Sequence, residues 1–321
     1  MHAQDSLPDR RAFLRTVATG TVALASASAS TLRSSAGSKD HLHLSTNSYS
    51  WGVYYQREGK NFAAAPDEGF ADVKASGLDG YEPGGGSPDD IVKLIPVLKK
   101  HGLEMRSIYV GSALHTREDA DKSIANTVAI ARAAKAMGTR IIVTNPSPLQ
   151  WGGAQNKDDQ QLRTQAESLD RLGRELADLG MTLAYHNHDI ELRNAAREFH
   201  HMMNGTDPRH VSLCLDAHWV YRGSGNSQVA LFDVVKLYGA RVAEVHLRQS
   251  EKGVWSETLG PGDIDYEAFA AALLKARAHH PKPHLVMEIA VEGGTPKTVG
   301  PGEAHRRSGE YARRVFAGYA G

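Results

Sequence analysis

The sequence predicts a single α/β domain, a (β/α)8 barrel, and three observations carry that prediction. Eight short, mostly apolar runs recur along the chain, separated by amphipathic stretches with apolar residues at helical spacing. Gly77, Gly102, Gly138 and Gly180 stand where a helix C-cap should precede the next strand. Four ligand-type residues, His186, Asp216, His246 and Glu288, each stand at or near the end of one of the last four runs.

In chain order the strands are expected at Leu42–Thr46, Leu78–Glu82, Glu104–Val110 and Arg140–Thr144, then at Thr182–Asn187, Val211–Asp216, Val242–Leu247 and Leu285–Ile289. The later ones, such as VSLCLD and VAEVHL, read as buried parallel strands with a polar residue where the strand should stop. Helices are expected at Asp89–His101, Lys122–Met137, Asp159–Leu179 and Asp265–His279, among others, and the ligand-type residues are spaced far enough apart to admit one helix between each pair. A doubly wound open sheet would place a Gly-rich phosphate turn after its first strand. Asn47-Ser48-Tyr49-Ser50-Trp51 follows here instead, and Gly84-Gly85-Gly86 after the second strand reads as a flexible loop.

A chain of 321 residues with 41% hydrophobic content is long enough for one barrel, which uses about 250 residues. Lys+Arg and Asp+Glu both number 37, so no net field draws the protein to nucleic acid or to a membrane surface. The lone cysteine, Cys214, excludes an internal disulfide and reads as a small core residue. The N-terminus carries Asp9-Arg10-Arg11-Ala12-Phe13-Leu14, which resembles a twin-arginine export signal. A weakly apolar stretch from Thr16 to Ala25 and small residues to Ala29 follow it. The expected organisation is therefore a signal peptide over residues 1–30, a linker over 31–40 and the barrel over 41–321, with a periplasmic location. The apolar stretch is too short for a stable membrane anchor.

All C-terminal strand ends of such a barrel converge on one face, so two imidazoles and two carboxylates meet there as a site for one divalent ion. The absence of thiolates argues against structural zinc and leaves Mn, Co, Mg, Fe or catalytic Zn. Such an ion can bind adjacent oxygens of a hydroxy-ketone and stabilise the enediolate left when a carbon-bound proton is removed. Glu82, ending the second strand, and His188, on the same strand face as His186, can reach the mouth to move that proton.

The residues from about Leu42 onward resemble the xylose isomerase-like TIM-barrel superfamily, often labelled sugar phosphate isomerases/epimerases. The resemblance rests on Gly80-Tyr81-Glu82, Tyr185-His186-Asn187-His188-Asp189, Leu215-Asp216-Ala217-His218-Trp219-Val220, His246-Leu247-Arg248, Leu259-Gly260-Pro261-Gly262-Asp263-Ile264-Asp265 and Met287-Glu288-Ile289, in this order. It implies that His186, Asp216, His246 and Glu288 hold the metal. Many members have Glu in the place of His186 and pair it with the last-strand Glu as acid and base. Its replacement here moves proton transfer toward His188, Glu82 or Glu288. Arg248 is expected to contact substrate oxygens and His218 the substrate, while Trp51, Trp151, Trp219 and Trp255 lie near predicted strand-end loops where an aromatic face suits stacking on a sugar ring.

Export and the lack of a phosphate cradle favour an unphosphorylated keto-sugar as the small-molecule substrate. The resemblance further includes enzymes of 3-keto-glycosides, where removing the proton at C2 expels the C1 substituent. The superfamily's apurinic-site endonuclease branch needs a multi-zinc cluster and a basic groove, which the neutral charge disfavours. A carbohydrate-binding module needs no Lewis acid. The oligomeric state is left open, a homo-oligomer included.

Overall fold

The structure, a computed structural model, describes residues 41–320, all within one compact unit, Lys39–Gly321. The expected signal peptide and linker lie outside the described residues. Eight parallel strands form the barrel: β1 (Leu44–Asn47), β2 (Gly80–Glu82), β3 (Ser107–Tyr109), β4 (Ile141–Thr144), β5 (Thr182–His186), β6 (Val211–Asp216), β7 (Val242–Leu247) and β8 (His284–Met287). Their order is β2-β1-β8-β7-β6-β5-β4-β3. The ring is joined between β2 and β3 by bridges at Gly80–Glu104 and Gly84–Tyr109. Gly80 is required there: a Cβ would sit 2.5 Å from Ser45 Oγ and 2.8 Å from the Glu104 carbonyl oxygen.

All eight expected strands are present, several trimmed at their ends. The third shrinks to Ser107–Tyr109, and β8 stops at Met287, so Glu288 lies one residue beyond it. Glu288 nevertheless keeps the strand direction, because its backbone N–H donates to the Leu247 carbonyl at 3.0 Å. The four expected C-cap glycines all have positive φ, from 62° at Gly102 to 82° at Gly77, a conformation that suits a residue without Cβ.

The outer layer contains α1 (Ser48–Arg57), α2 (Pro66–Ala75), α3 (Pro88–Lys100), α4 (Arg117–Ala134), α5 (Asp159–Asp178), α6 (Arg193–Asn204), α7 (Ala217–Gly223), α8 (Gln228–Tyr238), α9 (Tyr266–Ala276) and α10 (Pro301–Val315). The Asp158 carboxylate and the Gln161 side chain form a reciprocal capping box at the start of α5. Asp216 and Asn47 each cap the helix that follows their own strand, accepting from Trp219 N at 2.8 Å and Ser50 N at 3.1 Å. These caps direct two strand-end side chains to the C-terminal face. A short hairpin (Ser250–Glu251 with Val254–Trp255) follows β7 on that face. Among the described residues no helix is long and apolar enough to cross a membrane.

Candidate metal centre and substrate cavity

Parallel register brings the ligand-type residues together. Asp216 on β6 pairs directly with His246 on β7, and Val286 on β8 pairs with His246, so Glu288 projects two residues further up the same face. One ligand atom from each of His186, Asp216, His246 and Glu288 lies within 4.8 Å of the others, and all four residues are buried. His186 Nε2 stands 3.8 Å from Asp216 Oδ2, and His246 Nδ1 stands 2.5 Å from Glu288 Oε2.

The donor set fits a divalent ion on an observation independent of motif. Both ring nitrogens of His186 and Oδ2 of Asp216 are buried, with no hydrogen-bond partner among the described residues. Buried polar atoms are normally satisfied, and one shared cation would satisfy these. Burial pushes Asp216 up to about 6 and holds His186 well below its ordinary value, with the neighbouring His188 and His246 reinforcing the latter. Burial also opposes the charge on Glu288, but His246 and Arg248 outweigh it and keep this carboxylate well below the usual range.

Glu288 is crowded with donors. Asn47 Nδ2 donates to Oε2 at 2.7 Å, and Arg248 donates to Oε1 and, through Nε at 3.0 Å, to the Glu288 carbonyl oxygen. A carboxylate so stabilised is a weak base and a good fixed anion. Arg248 itself is 1% exposed and lies against the rings of Trp255 and Trp219, 4.5 and 5.1 Å from their centroids. Its NH1 has no partner among the described residues.

Above the quartet opens a cavity of about 400 Å³. Of the residues expected to act there, Glu82, His186, His188, Trp219, Arg248 and Glu288 line it, while Asp216 and His246 lie fully buried beneath. Glu82 takes a hydrogen bond from Ser107 Oγ at 2.8 Å on Oε2 and leaves Oε1 without one. His188 sits at the rim, edge-on to Trp151 at 5.1 Å. Burial, its largest influence, lowers its imidazole to about 4.

Two expected contacts are corrected. Trp51 does not line the cavity: α1 starts directly at Ser48, which turns this side chain into the core, stacked on His305 of α10 at 4.2 Å. His218 is fully buried behind Trp219, its Nε2 3.0 Å from Ser250 Oγ, and supports the wall without forming it.

Other residues enter that the sequence reading did not single out as site residues. Tyr49 and Tyr109 line the cavity beside Trp151, one of the expected aromatic residues, which reaches in from the β4–α5 loop and is 58% exposed. Asn47 and Tyr109 end their strands as Glu82 does, and that shared position was the available signal. Glu244, fully buried, lies on the same strand face as His246 and was legible only through the two-residue period.

The family profile described as xylose isomerase-like TIM barrel matches residues 70–313, and the chain belongs to this family. Inosose dehydratase from Clostridium perfringens is 26% identical over 229 residues, spanning 62% of this chain and 74% of that protein. A xylose isomerase-like TIM barrel protein from Mycobacterium smegmatis, solved in complex with magnesium, superposes with a TM-score of 0.65. It is 17% identical and covers 89% of this chain and 100% of its own. The 3-keto-D-glucoside 4-epimerase from E. coli gives 0.61 at 16% identity, covering 85% of this chain and 100% of its own. At this identity the two structural likenesses show a common fold.

Proposed function

We propose that the protein is a divalent-metal-dependent enzyme that removes a proton beside the ketone of an unphosphorylated sugar, giving isomerisation or epimerisation. The observation that carries this reading is the buried quartet His186, Asp216, His246 and Glu288, with orphaned polar atoms on His186 and Asp216, at the floor of a cavity open at the C-terminal barrel face. A bound ion there would supply a Lewis acid that polarises the carbonyl and eases loss of the neighbouring proton.

This chain's own residues do the rest. Arg248 holds Glu288 and offers NH1 to a substrate oxygen. Trp219 and Trp151 present aromatic surface to the ring. Glu82, with one oxygen free of donors, and His188, neutral near pH 7, exchange the proton. Glu288 acts as a ligand, since its surrounding donors weaken it as a base.

Elimination of the C1 substituent from a 3-keto-glycoside is the second reading. It shares the first step, and the likeness to inosose dehydratase supports elimination as an outcome. The export reading of residues 1–30 favours substrates met in the periplasm. The test is to incubate metal-loaded protein with free ketoses and 3-keto-glucosides in D₂O. Deuterium beside the ketone, or release of the aglycone, supports the reading. Absence of exchange into every substrate, with cleavage of phosphodiesters, would reject it.

A further inference from the structure

Below the quartet, the barrel interior holds a carboxylate that the proposed chemistry does not use. Glu244 is fully buried, two residues before His246 on β7, and its Oε1 lies 3.1 Å from His246 Nε2 in hydrogen-bonding geometry. The other ring nitrogen, Nδ1, faces Glu288 Oε2 at 2.5 Å, inside the quartet. Glu82 Oε1 is also near Nε2, at 3.2 Å, but makes no hydrogen bond there. Cys214 Sγ donates weakly to Glu244 Oε1 at 3.6 Å. A neutral imidazole binds a cation only through the nitrogen that lacks a proton, and which nitrogen that is depends on what the other one bonds.

We infer that Glu244 is a positioning residue: by accepting the Nε2 proton of His246 from beneath, it fixes the tautomer that presents the bare Nδ1 to the cation. The inference rests on the proposed quartet as a metal site. Strand geometry explains why the acceptor is at this position. Residues two apart share a strand face, so Glu244 occupies the layer directly under His246 and cannot itself reach the cavity. Burying a carboxylate in the barrel interior is costly, and replacing such a group by an apolar residue of similar volume is often neutral or stabilising. A purely structural role would therefore leave metal affinity untouched.

The test compares wild type, Glu244→Leu and Glu244→Gln by three measurements on the folded protein. These are the Mn²⁺ dissociation constant by chelator competition, the thermal midpoint of the metal-free form, and the ¹⁵N–¹H signal of His246 Nε2 in metal-free, [¹⁵N]histidine-labelled protein. Leucine removes the acceptor and should weaken Mn²⁺ binding roughly 10- to 100-fold, with an equal or higher metal-free midpoint and a shifted, faster-exchanging Nε2–H. Glutamine keeps an acceptor oxygen and should stay within about threefold of wild type. Wild-type affinity in Glu244→Leu, or equal losses in both variants, overturns the inference. If wild type binds no Mn²⁺ but Glu244→Leu still releases the Nε2 proton to exchange, the metal reading fails while the role of Glu244 in orienting His246 stands.

Discussion

Asn47, the last residue of β1, donates from Nδ2 to Oε2 of Glu288 at 2.7 Å and so ties the first barrel strand to the residue that follows the last one. The same side chain accepts from Ser50 N at 3.1 Å and starts α1. Asn47→Ala removes a cap and a donor to a buried carboxylate together. Its expected cost is about 1–3 kcal/mol of unfolding free energy, read from the urea midpoint. A change below a few tenths would show that neither bond matters.

Metal content should follow the quartet. Wild type purified without chelator should carry one divalent ion per chain, and Asp216→Ala or His246→Ala should carry little. Dialysis against a chelator should abolish turnover, and Mn²⁺, Co²⁺, Mg²⁺, Fe²⁺ or Zn²⁺ added singly should identify the ion that restores it. Full metal content and activity in both alanine variants would move the site elsewhere.

Proton transfer should separate from binding in the kinetics. Glu82→Gln and His188→Asn should each depress kcat roughly a hundredfold or more if the residue carries a proton. Arg248→Ala should act mainly by raising KM. Wild-type deuterium exchange in both Glu82→Gln and His188→Asn would remove these residues from the chemistry.

Glu191, which accepts from His188 N at 2.7 Å and Asn145 Nδ2 at 3.1 Å, is pushed up to about 7, first by burial and then by the charge of Glu198. Below about pH 4.5 folded and unfolded states both hold this proton, and the stability is fully present. Between pH 4.5 and 7 the unfolded chain releases its proton first, so stability falls as pH rises, by on the order of 3 kcal/mol in all. Glu191→Gln lacks that titration. Urea denaturation at pH 5 and pH 8 should show the variant gaining on wild type at the higher pH, and an unchanged gap would refute the shift.

Export is tested at Arg10 and Arg11. Replacing both by Lys should hold the protein in the cytoplasm with its mature domain folded. Equal periplasmic yields from wild type and the double variant would exclude the twin-arginine route.

The eight strands, the glycine C-caps and the alignment of His186, Asp216, His246 and Glu288 were determined by the sequence alone. Each depends on local rules: apolar runs of strand length, the φ > 0 that follows a helix, and polar residues at strand ends that a parallel barrel must gather on one face. Only the tertiary structure decided which neighbours those residues meet. Trp51 turned into the core because α1 begins without a loop, and His218 fell behind Trp219. The Glu288 carboxylate is surrounded by Asn47, His246 and Arg248. Glu244 came into view beneath His246. Glu244 follows the two-residue period of its strand, but the surroundings of Trp51, His218 and Glu288 depend on contacts between residues far apart in the chain, which no periodicity in the sequence encodes.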